Sequence, residues 1–242
     1  GCLRISIGNS VLDPFYLHYY LRDAKVIAKI ANQAIGATLP NLNTSILRNV
    51  VVRYPSLQYQ RRVVSILSAY DDLIENNTRR IAILEEMARR IYEEWFVHFR
   101  FPGHEKGKIV DSELGKIPEG WKIRTVDETF EILGGGTPSK KELPYWDDGT
   151  INWYSPTDLT RSSTLFMESS SKKITKLGLA KSSAKLFPPF SIMMTSRATI
   201  GVIAINTTAA STNQGFITCI PNEKFPIYLL FHWLEQNVGM FE

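Results

Sequence analysis

The chain has 242 residues, of which 44% are hydrophobic and 21% charged, a balance typical of a globular protein with one large or two small domains. Its two cysteines, Cys2 and Cys219, argue against a disulfide-rich secreted domain, and no apolar stretch reaches the roughly 18 residues of a membrane span. The net charge of +4 permits a polyanionic partner without requiring one. We therefore expect a cytoplasmic protein.

The first 56 residues carry a mixed pattern of strand and helix. Alternation at 3–7 predicts a strand, and a helix is expected from Pro14 toward Ile30. A loop at 35–42 contains Thr38 and Asn41, and a β-branched strand follows from Leu47 to Tyr54.

A seven-residue repeat then continues over five heptads and predicts one long helix. An ordinary core helix is the alternative, but such helices average only three or four turns. The seam needs a partner, for which we expect an antiparallel second copy of the chain or the missing remainder of a longer protein. The polar member of the seam could pair with its counterpart and set the register. The positions of the repeat are Val63, Leu67, Tyr70, Ile74, Asn77, Ile81, Leu84, Ala88, Ile91 and Trp95.

Beyond the helix, a polar segment from His104 to Lys116 predicts a linker. Short strands separated by glycine and proline are then expected at 132–133, 151–154, 190–195 and 200–205. The predicted fold class is α+β, with β-rich domains and flanking helices joined by one long coiled-coil spacer helix.

An internal similarity links the two ends of the chain. Pro14, Tyr16 and Leu17 match Pro226, Tyr228 and Leu229 at a constant offset. Chance could produce such a match. If the repeat is real, the chain holds the end of one domain, a spacer and most of a second domain built on the same plan.

Motifs for catalysis are absent from the sequence. The four histidines have no cysteine or carboxylate at metal-ligand spacing, and the chain has no phosphate-binding loop ending in Lys-Ser/Thr and no Gly-x-Ser-x-Gly motif. We expect no catalytic residue, no metal and no cofactor in this chain.

Loops of the β-rich domain instead have the composition of a nucleic-acid surface. Glycines allow close backbone approach, hydroxyl and ammonium groups suit phosphate oxygens, and a guanidinium suits guanine. Each feature has a plainer alternative: the lysines could form a solvated face, the Gly-Thr-Pro segment a turn, and the tryptophan part of the core. The candidates are Gly135, Gly136, Thr137, Ser139, Lys140, Lys141, Trp153, Ser155, Thr157, Ser196 and Arg197.

Several of these motifs, in fixed order, resemble a target recognition domain of type I restriction-modification specificity subunits. They occupy residues 133–139, 146–153, 155–159, 195–201 and 213–215. Residues 36–42, 54–55, 60–63 and 95–96 resemble the end of a first recognition domain and the central conserved region of that family, and residues 118–121 resemble the start of the second domain. The resemblance covers nearly the whole chain.

The resemblance implies a non-catalytic subunit that reads double-stranded DNA. Two recognition domains would each read half of a split site, and Thr38 and Asn41 would add DNA contacts in the first. Modification (methyltransferase) subunits and an ATP-dependent restriction subunit would dock on the scaffold. S-adenosylmethionine, ATP and Mg would then be bound by those partners.

The resemblance also implies a division of the chain. Residues 1–56 would be the C-terminal part of the first recognition domain, 57–101 the spacer helix, 102–117 a linker, and 118–242 a second recognition domain that lacks its C-terminal end. The second conserved helix of the family is missing. The rival interpretation is a protein-interaction scaffold with a dimerising coiled coil and no base reading. The target sequence and the methylated base cannot be read from the chain.

Overall fold

The computed structural model describes residues 5, 11–32, 44–162, 164–197 and 199–240. It divides into two compact units, Gly1–Met87 and Ala88–Glu242. Helices and sheets both occur, which confirms the predicted α+β class. Apart from residue 5, the strand expected at 3–7 lies outside the described residues.

The first unit is helical in its described part. Asp13 starts the first helix by accepting hydrogen bonds from the N–H groups of Phe15 and Tyr16, at 2.9 and 3.1 Å. A second capping aspartate, Asp23, adopts an extended conformation and splits the single helix expected from Pro14 toward Ile30 into two. The helices are α1 (Pro14–Arg22), α2 (Ala24–Asn32), α3 (Thr44–Arg48) and the start of α4 (Leu57–Tyr92).

The strand expected from Leu47 to Tyr54 is wrong. Its first residues belong to α3, and the rest has no regular structure. Two of its carbonyl groups, those of Val51 and Arg53, accept hydrogen bonds from the hydroxyls of Tyr20 and Tyr16 on α1. This β-branched run pairs with no strand in the described part of the chain, and tyrosine hydroxyls satisfy part of its backbone instead.

Helix α4 confirms the long helix predicted from the heptad repeat, because it continues without a break over 36 residues. A π-helical segment, Glu93–Val97, follows it directly. Near the start of α4, the fully buried Gln60 accepts a hydrogen bond from the Asp13 N–H and donates to the carbonyls of Val11 and Pro55. These bonds fix the beginning of the helix within the first unit.

The second unit contains every strand of the described chain. Its helices are α5 (Pro156–Arg161), α6 (Lys176–Ala180) and α7 (Ile227–Asn237). Its strands are β1 (Ile109–Ser112), β2 (Gly115–Pro118), β3 (Glu131–Gly134), β4 (Ile151–Tyr154), β5 (Phe166–Met167), β6 (Lys172–Ile174), β7 (Ile192–Thr195), β8 (Ile203–Asn206), β9 (Ala210–Thr212) and β10 (Phe216–Ile220).

Three sheets form from these strands. The largest has the order β3-β10-β7-β8-β5, the second has the order β6-β4-β9, and β1 and β2 make a hairpin. The hairpin occupies most of the segment that was expected to be a linker. Its two strands pair from Ile109 with Pro118 to Ser112 with Gly115.

Both faces of the largest sheet are buried. On β7, Met193 packs with Tyr154 and Phe187 in one core, while Ile192 and Met194 pack in a second core with Leu230 of α7. Successive residues of a strand point to opposite faces, so a strand covered on both sides reads as a continuous apolar run. This is why residues 190–195 could be recognised as a strand.

Helices α1 and α7 are the two segments that carry the internal sequence similarity. Both matching segments are helical, with Pro14 as the first residue of α1 and Pro226 immediately before α7. Proline suits a helix start because its missing N–H has no partner in the first turn. The common local structure is what the repeat hypothesis requires.

Aromatic packing fixes the end of α4 within the second unit. Tyr92 lies 5.3 Å from Phe96 and 5.7 Å from His232 of α7, measured between ring centroids. Trp121 contacts Phe96 and Phe101 in turn, with its ring nearly parallel to that of Phe101. The residues after the helix therefore belong to the packed body of this unit.

Two glycines after β3 allow the backbone to pass unusually close to its neighbours. A Cβ atom on Gly135 would come within 1.8 Å of the Asn213 carbonyl oxygen, and one on Gly136 within 2.3 Å of the Ser183 carbonyl carbon. These atoms belong to the backbone, which cannot move aside as the end of a flexible side chain could. By contrast, a Cβ on Gly134 would meet nothing within 4 Å.

We predict that Gly136→Ala destabilises the protein by about 1–3 kcal/mol, the usual range for overpacking of a tight site. The matched change Gly134→Ala, in the same glycine run, should alter the free energy of unfolding by about 0.5 kcal/mol or less. Urea unfolding of both variants measures the difference. Equal stabilities would contradict the close contact at Gly136.

Candidate nucleic-acid interface

The strand order brings four separate segments to one edge of the second unit. Gly134, at the end of β3, pairs with Ile217, and Thr195, at the end of β7, pairs with Phe216, where β10 begins. In the smaller sheet, Tyr154 at the end of β4 pairs with Thr212. The loops that leave these strand ends, at 135–141, 155–157, 196–197 and 213–215, form what we term the loop cluster.

Residues 213–215 connect the other three segments through backbone hydrogen bonds. The Asn213 N–H donates to the Tyr154 carbonyl at 3.0 Å, and the Ser196 N–H donates to the Gly215 carbonyl at 2.8 Å. The Gly136 N–H donates to the carbonyl of Thr212, just before this segment, also at 2.8 Å. The loops are therefore held in a fixed arrangement by main-chain contacts.

The glycines of the cluster face the protein itself. Gly136 is buried, and both Gly135 and Gly136 lie against the neighbouring backbone described above. Internal packing is thus a sufficient reason for these two glycines. Their predicted role in approaching a DNA backbone stays a prediction.

Trp153 is a core residue, so its side chain is not part of the predicted DNA-binding surface. The residue is only 5% exposed, its indole N–H donates to the Gly136 carbonyl at 2.9 Å, and its ring meets Trp146 edge to face at 5.1 Å. The assignment of this side chain to DNA contact was wrong, because the buried ring instead supports the glycine loop through its hydrogen bond to Gly136. Its effect on a bound partner would be indirect.

Ser155 and Thr157 begin helix α5 at the same edge. The Asp158 carboxylate accepts the N–H and the hydroxyl of Ser155, at 2.7 and 2.6 Å, and the Ser171 N–H at 2.9 Å. Burial alone would raise the pKa of Asp158, but the hydrogen bonds from Ser155 and Ser171 outweigh it and lower the pKa. Ser155 therefore serves as a helix cap, whereas Thr157 is exposed.

The exposed side chains of the cluster are polar or cationic. Two further polar residues, Thr137 and Ser196, are half-buried. In the described part of the chain, no ion pair involves Lys140, Lys141 or Arg197, so their charges face solvent. The exposed members are Ser139, Lys140, Lys141, Thr157, Arg197 and Gln214.

Gln214 is the member that the sequence-based site prediction left out. It lies in the connecting segment 213–215, is exposed, and accepts a hydrogen bond from the Thr137 hydroxyl. Its signal in the sequence was the polar pair Asn213-Gln214 directly before a glycine and an apolar strand. The other two residues assigned to DNA contact, Thr38 and Asn41, lie outside the described residues.

The predicted seam of α4 is exposed along its length. Ile74 and Leu84 are 63% and 61% exposed, and the smaller or polar members, Ala88 and Asn77, are exposed as well. The same holds for Val63, Leu67, Tyr70, Ile81 and Ile91, and Trp95, which lies in the π-helical segment after the end of α4, is exposed too. Side chains of this kind normally pack against another surface.

The described part of the structure has neither a metal-binding cluster nor a membrane-spanning helix. Among the residues that it describes, no group of three or more His, Cys, Asp or Glu side chains is placed to hold a metal ion. Within the same residues, none of the helices is long and apolar enough to cross a membrane.

Comparison with known proteins gives a consistent result. The sequence model described as type I restriction modification DNA specificity domain matches residues 1–86 and 118–239. The chain is 26% identical over 231 residues to the MjaIX specificity subunit of Methanocaldococcus jannaschii, covering 92% of this chain and 52% of that protein. It is 28% identical over 186 residues to the EcoR124I/EcoR124II specificity subunit of Escherichia coli, covering 75% and 41%.

A solved structure supports the same fold. The S subunit of a type I restriction-modification system from M. genitalium aligns with a TM-score of 0.54 at 16% identity, covering 95% of this chain and 55% of that one. The chain thus spans about half the length of the M. jannaschii and E. coli relatives and of this structure. Since the family model matches most of its residues, the chain belongs to the type I restriction-modification DNA specificity domain family.

Proposed function

We propose that this chain is a sequence-specific DNA-binding part of a type I restriction-modification specificity subunit. The observation that carries the proposal is the convergence of the loops at 135–141, 155–157, 196–197 and 213–215 on one edge, with unpaired cations exposed there. Such an edge suits a duplex because phosphates demand positive charge and bases demand directed donors. A cytoplasmic location accompanies a DNA partner.

Within this interface, Lys140 and Lys141 would contact phosphates, and Arg197 would read a base. An ammonium is a compact charge that suits phosphate without a directional requirement, whereas a guanidinium can donate two parallel hydrogen bonds to guanine O6 and N7. Arg197 lies two residues after Thr195, the end of β7, and the Ser196 N–H between them donates to the Gly215 carbonyl.

The chain itself would be non-catalytic. Methyl transfer would belong to modification subunits, and ATP-dependent translocation and cleavage to a restriction subunit. S-adenosylmethionine, ATP and Mg would bind to those partners. In a complete subunit, residues 1–56 and 118–242 would serve two recognition domains, with residues 57–101 as the spacer and 102–117 as the link between spacer and second domain.

For the exposed seam of α4 we propose an antiparallel second copy of this chain as the occupant. The seam is self-complementary in this orientation: Trp95 would face Val63 of the partner subunit, and Tyr70 would face Ala88 of the partner subunit. The largest side chains thereby meet the smallest. The remaining layers would join Leu67 with Ile91, Ile74 with Leu84, and Asn77 with Ile81. In the intact protein, the missing remainder of the subunit would take the same place.

Burial of this seam provides the driving force. Each large apolar side chain removed from water contributes about 1.5–3 kcal/mol. In this register Asn77 faces Ile81 of the partner subunit and not its own counterpart, the pairing that the sequence suggested. The two copies of Asn77 would lie in adjacent layers on either side of the two-fold axis, where a polar position specifies register at some loss of stability.

We predict that Leu84→Glu converts the dimer to a monomer, because it places a charge in the layer with Ile74 of the partner subunit. The control is Ile83→Glu, which puts the same charge on the adjacent exposed residue, outside the seam. Light scattering at micromolar concentration measures the mass of each variant. A monomeric unaltered chain, or a dimeric Leu84→Glu variant, would contradict the proposed occupant.

For DNA, we predict different effects of the two kinds of cation. Arg197→Ala should weaken binding to a duplex selected from a random library by about 1–3 kcal/mol, with less effect on unselected DNA. Lys140→Ala should weaken binding to both duplexes equally and reduce the salt slope by about one. Fluorescence anisotropy at several salt concentrations measures both quantities.

The control for these variants is Lys224→Ala, since Lys224 is exposed and follows the end of β10 opposite to the loop cluster. It should leave both affinities unchanged. Equal losses for Arg197→Ala on selected and unselected DNA would exclude base reading by Arg197. Binding without salt dependence would instead favour the rival function, a protein-interaction scaffold without base reading.

A further inference from the structure

Gln214 is an exposed, uncharged residue of the loop cluster, and the contacts proposed for the lysines and Arg197 give it no role. It is exposed at the middle of the segment that connects the other loops. Gly215, directly after it, is buried and accepts the Ser196 N–H, while Asn213 before it donates to the Tyr154 carbonyl. Its backbone is therefore fixed on both sides, although its side chain faces solvent.

Thr137 fixes the side chain of Gln214 as well. The Thr137 hydroxyl donates to the Gln214 Oε1 atom at 2.5 Å, across two loops that are far apart in sequence. A backbone hydrogen bond from the Gly136 N–H to the Thr212 carbonyl holds the same two loops together close to this side-chain contact. The glutamine is thus oriented before any partner binds.

This hydrogen bond orients the Gln214 amide. A free glutamine amide pairs with adenine through both of its ends, its oxygen accepting from N6 and its nitrogen donating to N7. Here Thr137 already donates to one of the two lone pairs of the oxygen, and within the described chain the Nε2 atom has no hydrogen-bond acceptor. The end of the amide without a protein partner is therefore a neutral donor. Phosphate oxygens, which only accept hydrogen bonds, are the matching groups on a duplex.

We propose that the Gln214 amide nitrogen donates a hydrogen bond to a DNA phosphate oxygen and that Thr137 is its positioning residue. The inference rests on the proposed DNA-binding function and adds a contact of a different kind from Lys140. A neutral donor displaces no condensed counterion, so it contributes affinity without contributing to the salt slope. It also carries no information about base sequence.

The first test is Gln214→Ala, measured on the selected and the unselected duplex at several salt concentrations. Affinity should fall about tenfold on both, as expected for a hydrogen bond to a charged group, and the salt slope should stay unchanged. Lys140→Ala, which should change the slope, is the comparison on the same surface. Thermal unfolding of the free protein checks that the variant keeps its fold.

The second test separates positioning from contact. Thr137→Val removes the hydroxyl at similar volume and should weaken binding severalfold in the unaltered chain, but should have no further effect in the Gln214→Ala background. Thr137→Ser, which keeps the hydroxyl, should restore affinity. Thr129→Val is the matched control, because Thr129 precedes β3 at the opposite end and its hydroxyl donates only locally, to the Val126 carbonyl.

The outcomes distinguish this inference from the function on which it rests. If the unaltered chain binds DNA and Gln214→Ala has no effect, the inference is wrong and the function stands. A loss confined to the selected duplex would make Gln214 a base-reading residue and overturn the phosphate contact. A further loss from Thr137→Val in the Gln214→Ala background would show that Thr137 touches DNA itself. No binding by the unaltered chain would overturn both.

Discussion

The loop cluster depends on close backbone contact around residues 213–215. Three hydrogen bonds of 2.8–3.0 Å hold this segment and Thr212 to the loops after β3, β4 and β7. The bond from the Gly136 N–H depends on the two glycines, because a Cβ on Gly135 would overlap the Asn213 backbone and one on Gly136 would overlap the Ser183 backbone. Loops ordered in this way would lose little conformational entropy on binding a partner. In the proposed function, the glycines would therefore contribute to recognition through the packing of the loops rather than through a contact of their own.

Features that depend on local sequence periodicity were predictable, whereas contacts between segments distant in sequence were not. The heptad repeat specified α4, since a seven-residue period has few other structural explanations, and the apolar runs specified β4 and β7. The meeting of the loops was not predictable from spacing alone. It depends on the strand order β3-β10-β7, which places the last of the described strands between two earlier ones. Only the resemblance to a family connected those motifs beforehand.

The incorrect expectations have a common physical origin. Residues 50–54, from the strand expected at Leu47 to Tyr54, have no partner strand among the described residues, and two of their carbonyls accept hydrogen bonds from tyrosines of α1 instead. Trp153 was expected to contact DNA at the surface. Its ring is buried, however, and packs against Trp146. Gln214 was missed for the opposite reason: an exposed glutamine is unremarkable until Thr137, distant in sequence, is found holding it. In each case the partner of the side chain decided its role.

The same reasoning constrains the register of the proposed helix pair. A shift by one heptad in one direction would bring Tyr70 against Trp95 of the partner subunit, two bulky rings in one layer, and would leave Val63 and Leu67 without partners. A shift in the other direction would join Val63 with Ala88, leaving a gap, and would expose Ile91 and Trp95. Either change loses two layers of apolar burial, and each large side chain in them contributes about 1.5–3 kcal/mol. The distribution of large and small residues therefore selects one alignment, in which the polar layers lie beside the two-fold axis.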